Sequence, residues 1–232
     1  MEKYIKSVTA LNTLTLSNSN KEEIDRYAES DIFWAANKNK PIPHRKVKKG
    51  NIYQFEFGKN FIPEMSYEHR GLVIGGSGKL LYVLPIFSYK GSNSEHKDAY
   101  HPTDNPESKS NYFLLKGNDF AFLKHDSVLK LNDIRTVSFL RIKYKQENGY
   151  INPTSDIYKA IEKLVFSKYF FNYSYEYDQL TAERERLTKY SDEVEKEKDA
   201  VQEKIKSMRE MILAHGFDEE CQAYLKDVLH IE

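Results

Sequence analysis

Apolar positions along this chain follow three different periods in succession. Ile24, Tyr27, Ala28, Ile32 and Ala35 recur at helical spacing, and Ser19 or Asn20 is placed to cap that helix. The Ser/Thr/Asn-rich residues before it read as irregular. Pro41 and Pro43 close the helix, because neither can continue it. From residue 48 the period becomes two: Asn51-Ile-Tyr-Gln-Phe-Glu-Phe57 alternates polar and apolar residues. Gly71-Leu-Val-Ile-Gly75 and Leu80-Leu-Tyr-Val-Leu84 are short apolar runs, and the Gly75-Gly-Ser-Gly78 stretch between them predicts a hairpin turn. Tyr112-Phe-Leu-Leu115, Ser127-Val-Leu-Lys-Leu131 and Ile134-Arg-Thr-Val137 bring the expectation to about six strands.

Helical spacing returns after Pro153-Thr154-Ser155, where Ile157, Ala160, Ile161, Leu164 and Val165 line one face that should pack on the sheet. Beyond it, Tyr173, Leu180, Leu187, Val194, Val201 and Met208 repeat every seven residues. Their companion row contains Arg184, Ser191 and Lys198, so the pattern predicts a long helix with one narrow apolar edge rather than a full coiled-coil seam. His215-Gly216 reads as its stop, and a short last helix should carry Ala223, Tyr224, Val228 and Leu229. The expected organisation is an N-terminal extension with one helix (1–47), a β domain with its packing helix (48–172) and a helical, coiled-coil-like tail (173–232). Short strands with frequent turns predict a small barrel or sandwich.

Charge sharpens this division. Formal net charge is zero, but residues 48–150 carry 15 Lys+Arg against 11 Asp+Glu, and residues 151–232 carry 12 against 18. A basic body with an acidic tail fits a polyanion-binding surface with a counterweight, or simply a solvated helix face. The single cysteine, Cys221, excludes an intramolecular disulfide. With no apolar leader at residues 1–16 and no run of membrane-spanning length, the expectation is a cytoplasmic protein with no membrane partner. Residues 92–111 form a polar stretch holding His96 and His101, a length more typical of a binding loop or a disordered segment.

The strand zone, residues 48–142, resembles the MazF/PemK family of toxin endoribonucleases in the order of its motifs. Lys49-Gly50-Asn51-Ile52-Tyr53 is similar to the family's opening strand, and Phe57-Gly58-Lys59-Asn60 followed by Glu68-His69-Arg70 to its first long loop. Gly71-Leu-Val-Ile74 takes the place of a Pro-Val-Val-Val strand. Val83-Leu-Pro-Ile-Phe-Ser-Tyr-Lys-Gly91 resembles the segment that carries the family's catalytic hydroxyl. Asp126-Ser-Val-Leu129 and Asp133-Ile-Arg-Thr136, with Arg141, are similar to the closing signature. The resemblance implies a mainly β, SH3-like small barrel, usually a homodimer, that cleaves single-stranded RNA with no cofactor or metal. It also implies a restraining antitoxin, which is a protein or an RNA.

Such cleavage uses the RNA 2′-hydroxyl as an internal nucleophile and leaves 2′,3′-cyclic phosphate and 5′-hydroxyl ends. The protein has to manage two protons and stabilise the phosphorane. Arg70 matches the family's catalytic arginine, unless it is a surface residue paired with Glu68. Phe87 stands where the family has a threonine, so Ser88 is the candidate hydroxyl, with Lys90 beside it. Glu68, His69, Tyr89 and Arg135 are further candidate substrate contacts, although Arg135 equally suits a structural pairing with Asp126 or Asp133. Tyr53, Phe61, Tyr67 and Tyr100 are aromatic candidates for stacking on bases. A barrel that has lost turnover through Phe87 and only binds RNA or a protein is the alternative. The tail would then regulate, by occluding the groove or by pairing two copies.

Overall fold

In a computed structural model of the chain, residues 1–42, 47–215 and 219–229 are described. They form two compact units, residues 1–171 and 172–232. The first is built on a seven-stranded antiparallel sheet: β1 (Asn51–Glu56), β2 (Glu68–Ser77), β3 (Leu80–Ser88), β4 (Tyr112–Leu115), β5 (Ser127–Lys130), β6 (Arg135–Ser138) and β7 (Ile142–Tyr150). The order is β4-β5-β3-β2-β1-β7, with β6 on β3. On its edge away from β2, β3 therefore serves two partners: Leu80–Val83 pair with β6, and Ile86–Ser88 with β5. A register irregularity in β2 between Val73 and Gly75 adds local twist there.

Two sequence expectations shift in this sheet. The glycine stretch does end in the predicted hairpin turn, at Gly78, whose φ is +58°, but Gly75 and Gly76 still lie inside β2. A side chain at Gly76 would stand 2.7 Å from the Leu80 carbonyl oxygen, so the close approach of the hairpin arms selects glycine. The seventh strand, β7, was not anticipated. It pairs only with β1, and its Lys143, Lys145 and Glu147 are the charged residues that protect a sheet edge.

Alternation along the strands separates two apolar clusters. Ile52, Leu72, Leu84, Ile86, Phe113, Leu129 and Leu131 join Tyr158, Ile161 and Val165 of helix α4 (Asp156–Tyr169) in one. Tyr53, Phe55, Phe57, Val73, Val83 and Val137 form the other. α4 starts as its sequence predicts, with Ser155 Oγ accepting from the Tyr158 amide at 3.3 Å. Its Tyr169 hydroxyl accepts from the Ile134 amide at 2.8 Å, tying the far end of the helix to the sheet.

Residues before the sheet hold two helices rather than one. The segment read as irregular is α1 (Glu2–Asn18), which buries no residue. α2 (Lys21–Asn37) is capped by Asn20, whose Oδ1 accepts from the Glu23 amide at 2.9 Å. The face α2 turns to the sheet is polar, which the apolar pattern did not predict: Ser30 is its only buried residue and donates to Glu56 at 3.0 Å, while Ile32 is 69% exposed. Lys59 and Lys143 add cation–π contacts to Tyr27 and Phe33 of the same helix.

The second unit contains α5 (Phe171–His215) and α6 (Glu219–Leu229). α5 is one continuous helix of 45 residues with Tyr173, Leu180, Leu187, Val194 and Val201 exposed along it. Gly216, read as its stop, lies outside the described residues. Among the described residues, no helix is long and apolar enough to cross a membrane.

Because α4 closes the first cluster, shortening its most buried side chain should be costly. Ile161→Ala is expected to lower the unfolding free energy by about 2–5 kcal/mol, read as a fall in the urea midpoint at unchanged slope.

Candidate functional site

Strand pairing brings the site together. Arg70 of β2 lies opposite Gln54 of β1 and Ile86 of β3; Gln54 in turn lies opposite Tyr144 of β7. At this end of the sheet the apolar rows give way to polar residues and open into a groove of about 690 Å³. Glu68, His69, Arg70, Ser88 and Lys90 all line it, so five of the seven residues singled out by sequence meet in one place.

Arg70 is the central group. Its Nη2 donates to Ser127 Oγ at 3.2 Å, and Ser127 is fully buried beneath it. The alternative, a surface pairing with Glu68, is not made: Glu68 binds Lys143 instead. No carboxylate pairs with Arg70 among the described residues, and burial lowers its pKa, which is the signature of a cation held partly out of water without a counter-ion. Lys90 and Lys124 line the same groove, and neither forms an ion pair among the described residues.

Ser88 is the last residue of β3, lying opposite Ser127. Its Oγ is 3.0 Å from Nε2 of His125, a contact between two exposed side chains that sequence reasoning missed. His125 is positioned from both sides: the Asp126 carboxylate accepts from the Gly117 amide at 2.8 Å, and the Tyr89 amide donates to the Asp126 carbonyl at 3.0 Å. Nothing local in the sequence marks His125; only the β3–β5 register places it against Ser88.

Histidines divide by role. His96 is 5% exposed, and its Nδ1 accepts from the Lys90 amide at 3.0 Å, fixing both its tautomer and the turn that carries Lys90. Its ring lies 5.0 Å from Tyr112 and 6.1 Å from Tyr89. Burial lowers its pKa. His101 is equally buried and caps the turn at Thr103–Asp104 through Nδ1. The polar stretch of residues 92–111 is thus anchored by two buried histidines and a short helix, α3 (Ser94–Lys97), rather than open. His69 packs 5.8 Å from Phe87; burial first, then the positive charges of Arg26 and Arg70, push its pKa down.

Arg135 and Tyr89 do not line the groove. Arg135 bonds Glu64 at 3.0 Å and Asp133 at 3.1 Å, and donates to the Met65 carbonyl, so it fastens the loop before β2. Tyr53 is core, and Phe61, Tyr67 and Tyr100 also lie elsewhere. The aromatic groups in the groove are Phe87, Tyr112, Phe122 and Tyr144. Among the described residues, no group of three or more His, Cys, Asp and Glu side chains is arranged to hold a metal ion.

The chain matches no protein-family model and no curated protein.

The lowered pKa of His96 gives stability a pH dependence with a definite sign. The unfolded chain binds that proton more readily than the folded one, so stability is full above the ordinary histidine value of 6.5 and is lost as pH falls through it. His96→Asn, which keeps an acceptor for the Lys90 amide, is expected to flatten the decline in unfolding free energy between pH 7 and pH 5. Urea denaturation across that range measures the difference.

Proposed function

We propose that the protein is a MazF/PemK-like toxin endoribonuclease that cleaves single-stranded RNA by 2′-hydroxyl attack, without a metal cofactor, on an SH3-like small barrel. One observation carries the proposal: Arg70, a half-buried arginine without a counter-ion among the described residues, lies in a groove also lined by Lys90 and Lys124, where the only carboxylate among those residues, Glu68, is already neutralised by Lys143. A phosphodiester is the anion that such a groove accommodates repeatedly along its length. The ordered motifs of residues 48–142 and the sharing of β3 between β5 and β6 support the fold reading.

In this reading the Arg70 fork binds the non-bridging phosphate oxygens and gains strength as the phosphorane charge develops in a partly desolvated site. Internal attack already supplies proximity, leaving proton transfer as the protein's other task. Two imidazoles serve it. His69, kept neutral by burial and by neighbouring cations, accepts a proton. His125, in contact with Ser88 Oγ, passes a proton through that hydroxyl to the departing 5′-oxygen. Lys90 and Lys124 hold flanking phosphates. Phe87 and Tyr112, both half-buried in the groove, offer faces for bases. An antitoxin and a second copy of the chain are the partners this reading expects, in a cytoplasmic setting.

Phe87 favours one competing reading. It lies in the groove where the family resemblance calls for a threonine, which suits a module that binds RNA, or a protein, without turnover.

A cleavage assay with single-stranded RNA and excess EDTA separates the two. Arg70→Ala is expected to reduce kcat/KM by about 10³-fold or more, and His69→Ala and His125→Ala each by about 10²–10⁴-fold. Intact RNA with wild-type protein, with binding retained, would establish the binding module instead.

A further inference from the structure

The groove has a wall that lies outside the β domain. Arg26, on α2 in the N-terminal extension, lines it together with Gln54 of β1 and Tyr144 and Gln146 of β7. Strand order separates this end from Ser88 and His125: β3, β2, β1 and β7 are successive neighbours, so Gln54 stands two strand spacings, or about 10 Å, from the β3 row. α2 is held in register by the buried Ser30–Glu56 hydrogen bond, one helical turn beyond Arg26 on the same face. Arg26 is itself exposed, and among the described residues its only ionic partner is Glu22 one turn back. Its charge is felt inside the groove, where, after burial, it is the largest influence lowering the His69 pKa.

We propose that Arg26 forms a second phosphate-binding subsite, so that α2 completes the RNA groove and engages a phosphate away from the scissile one. The inference rests on the RNA reading of the groove and adds a residue outside its family resemblance. Glu22 acts as the resident counter-ion that an incoming phosphate displaces: the guanidinium exchanges one carboxylate for a phosphodiester, and no covalent step is involved. Gln54 and Gln146 can donate to the same phosphate, and Tyr144, 54% exposed, presents a ring to the adjoining base.

The test uses full-length protein and an uncleavable 2′-O-methyl oligoribonucleotide, with Kd measured as a function of salt for wild type, Arg26→Ala, Glu22→Gln and Arg70→Ala. Arg26→Ala is expected to weaken binding about 10-fold and to reduce the slope of log K against log salt by about 0.7, the contribution of one phosphate contact on a single strand. Glu22→Gln, which frees the guanidinium, is expected to tighten binding. In the cleavage assay the loss in Arg26→Ala should fall more on KM than on kcat, whereas that in Arg70→Ala should fall mainly on kcat. Wild-type Kd and slope in Arg26→Ala, with Arg70→Ala impaired, would overturn the subsite and leave the RNA reading standing. Weaker binding in both Arg26→Ala and Glu22→Gln would make the pair a structural staple of α2 and equally overturn it. No RNA binding by the wild type would overturn the RNA reading and the subsite together.

Discussion

The site depends on holding a guanidinium on the rim of an apolar core without giving it a carboxylate. The Gln54–Arg70–Ile86 register sets Arg70 beside a fully buried isoleucine, and Ser127 beneath it supplies a neutral oxygen in place of a charge. Desolvating a cation without pairing it costs stability, and burial is the force that depresses the Arg70 pKa. Such an arrangement persists where an anion will complete it. Glu68 is two residues away and lines the same groove, yet it is engaged by Lys143, so it does not satisfy Arg70.

Other features of the first unit keep that rim in shape. Buried His96 holds the Lys90 amide, and Asp126 bonds Gly117 in the turn before β5, so the two sides of the groove are fixed by single well-placed acceptors. Arg135, which forms ion pairs with both Glu64 and Asp133, works on the loop before β2 rather than in the groove. α2 packs through polar and cation–π contacts instead of an apolar stripe, which leaves its Arg26 in solvent beside the groove. A charged side chain on a helix docked in this way can meet a ligand without first leaving a core.

Much of the β scaffold was legible in the alternation of residues 51–57 and in the apolar runs that became β2 to β6. α4 was legible in both its cap and its face. β7 was not, because an edge strand carries charges where a central strand carries valines, and Lys143, Lys145 and Glu147 erase the apolar run. α1 was missed because its Ser and Thr residues suggest turns; in the helix Ser7, Thr13 and Ser17 instead donate to carbonyls four residues back. In the site, Arg70, Ser88 and Lys90 sit in local motifs and could be found by reading along the chain. His125 and Arg26 could not: one reaches Ser88 only through strand pairing, and the other belongs to a helix face whose polar residues look like ordinary solvent exposure.

If the groove acts on RNA as proposed, the 2′-hydroxyl is the nucleophile that attacks the phosphorus. The most direct test is mass spectrometry of the RNA ends produced in H₂¹⁸O with EDTA present. Internal attack yields 2′,3′-cyclic phosphates free of ¹⁸O opposite 5′-hydroxyl ends, and that is the expected result. Ends bearing a 5′-phosphate labelled with ¹⁸O would show that water, not the neighbouring hydroxyl, attacks the phosphorus, and would contradict it.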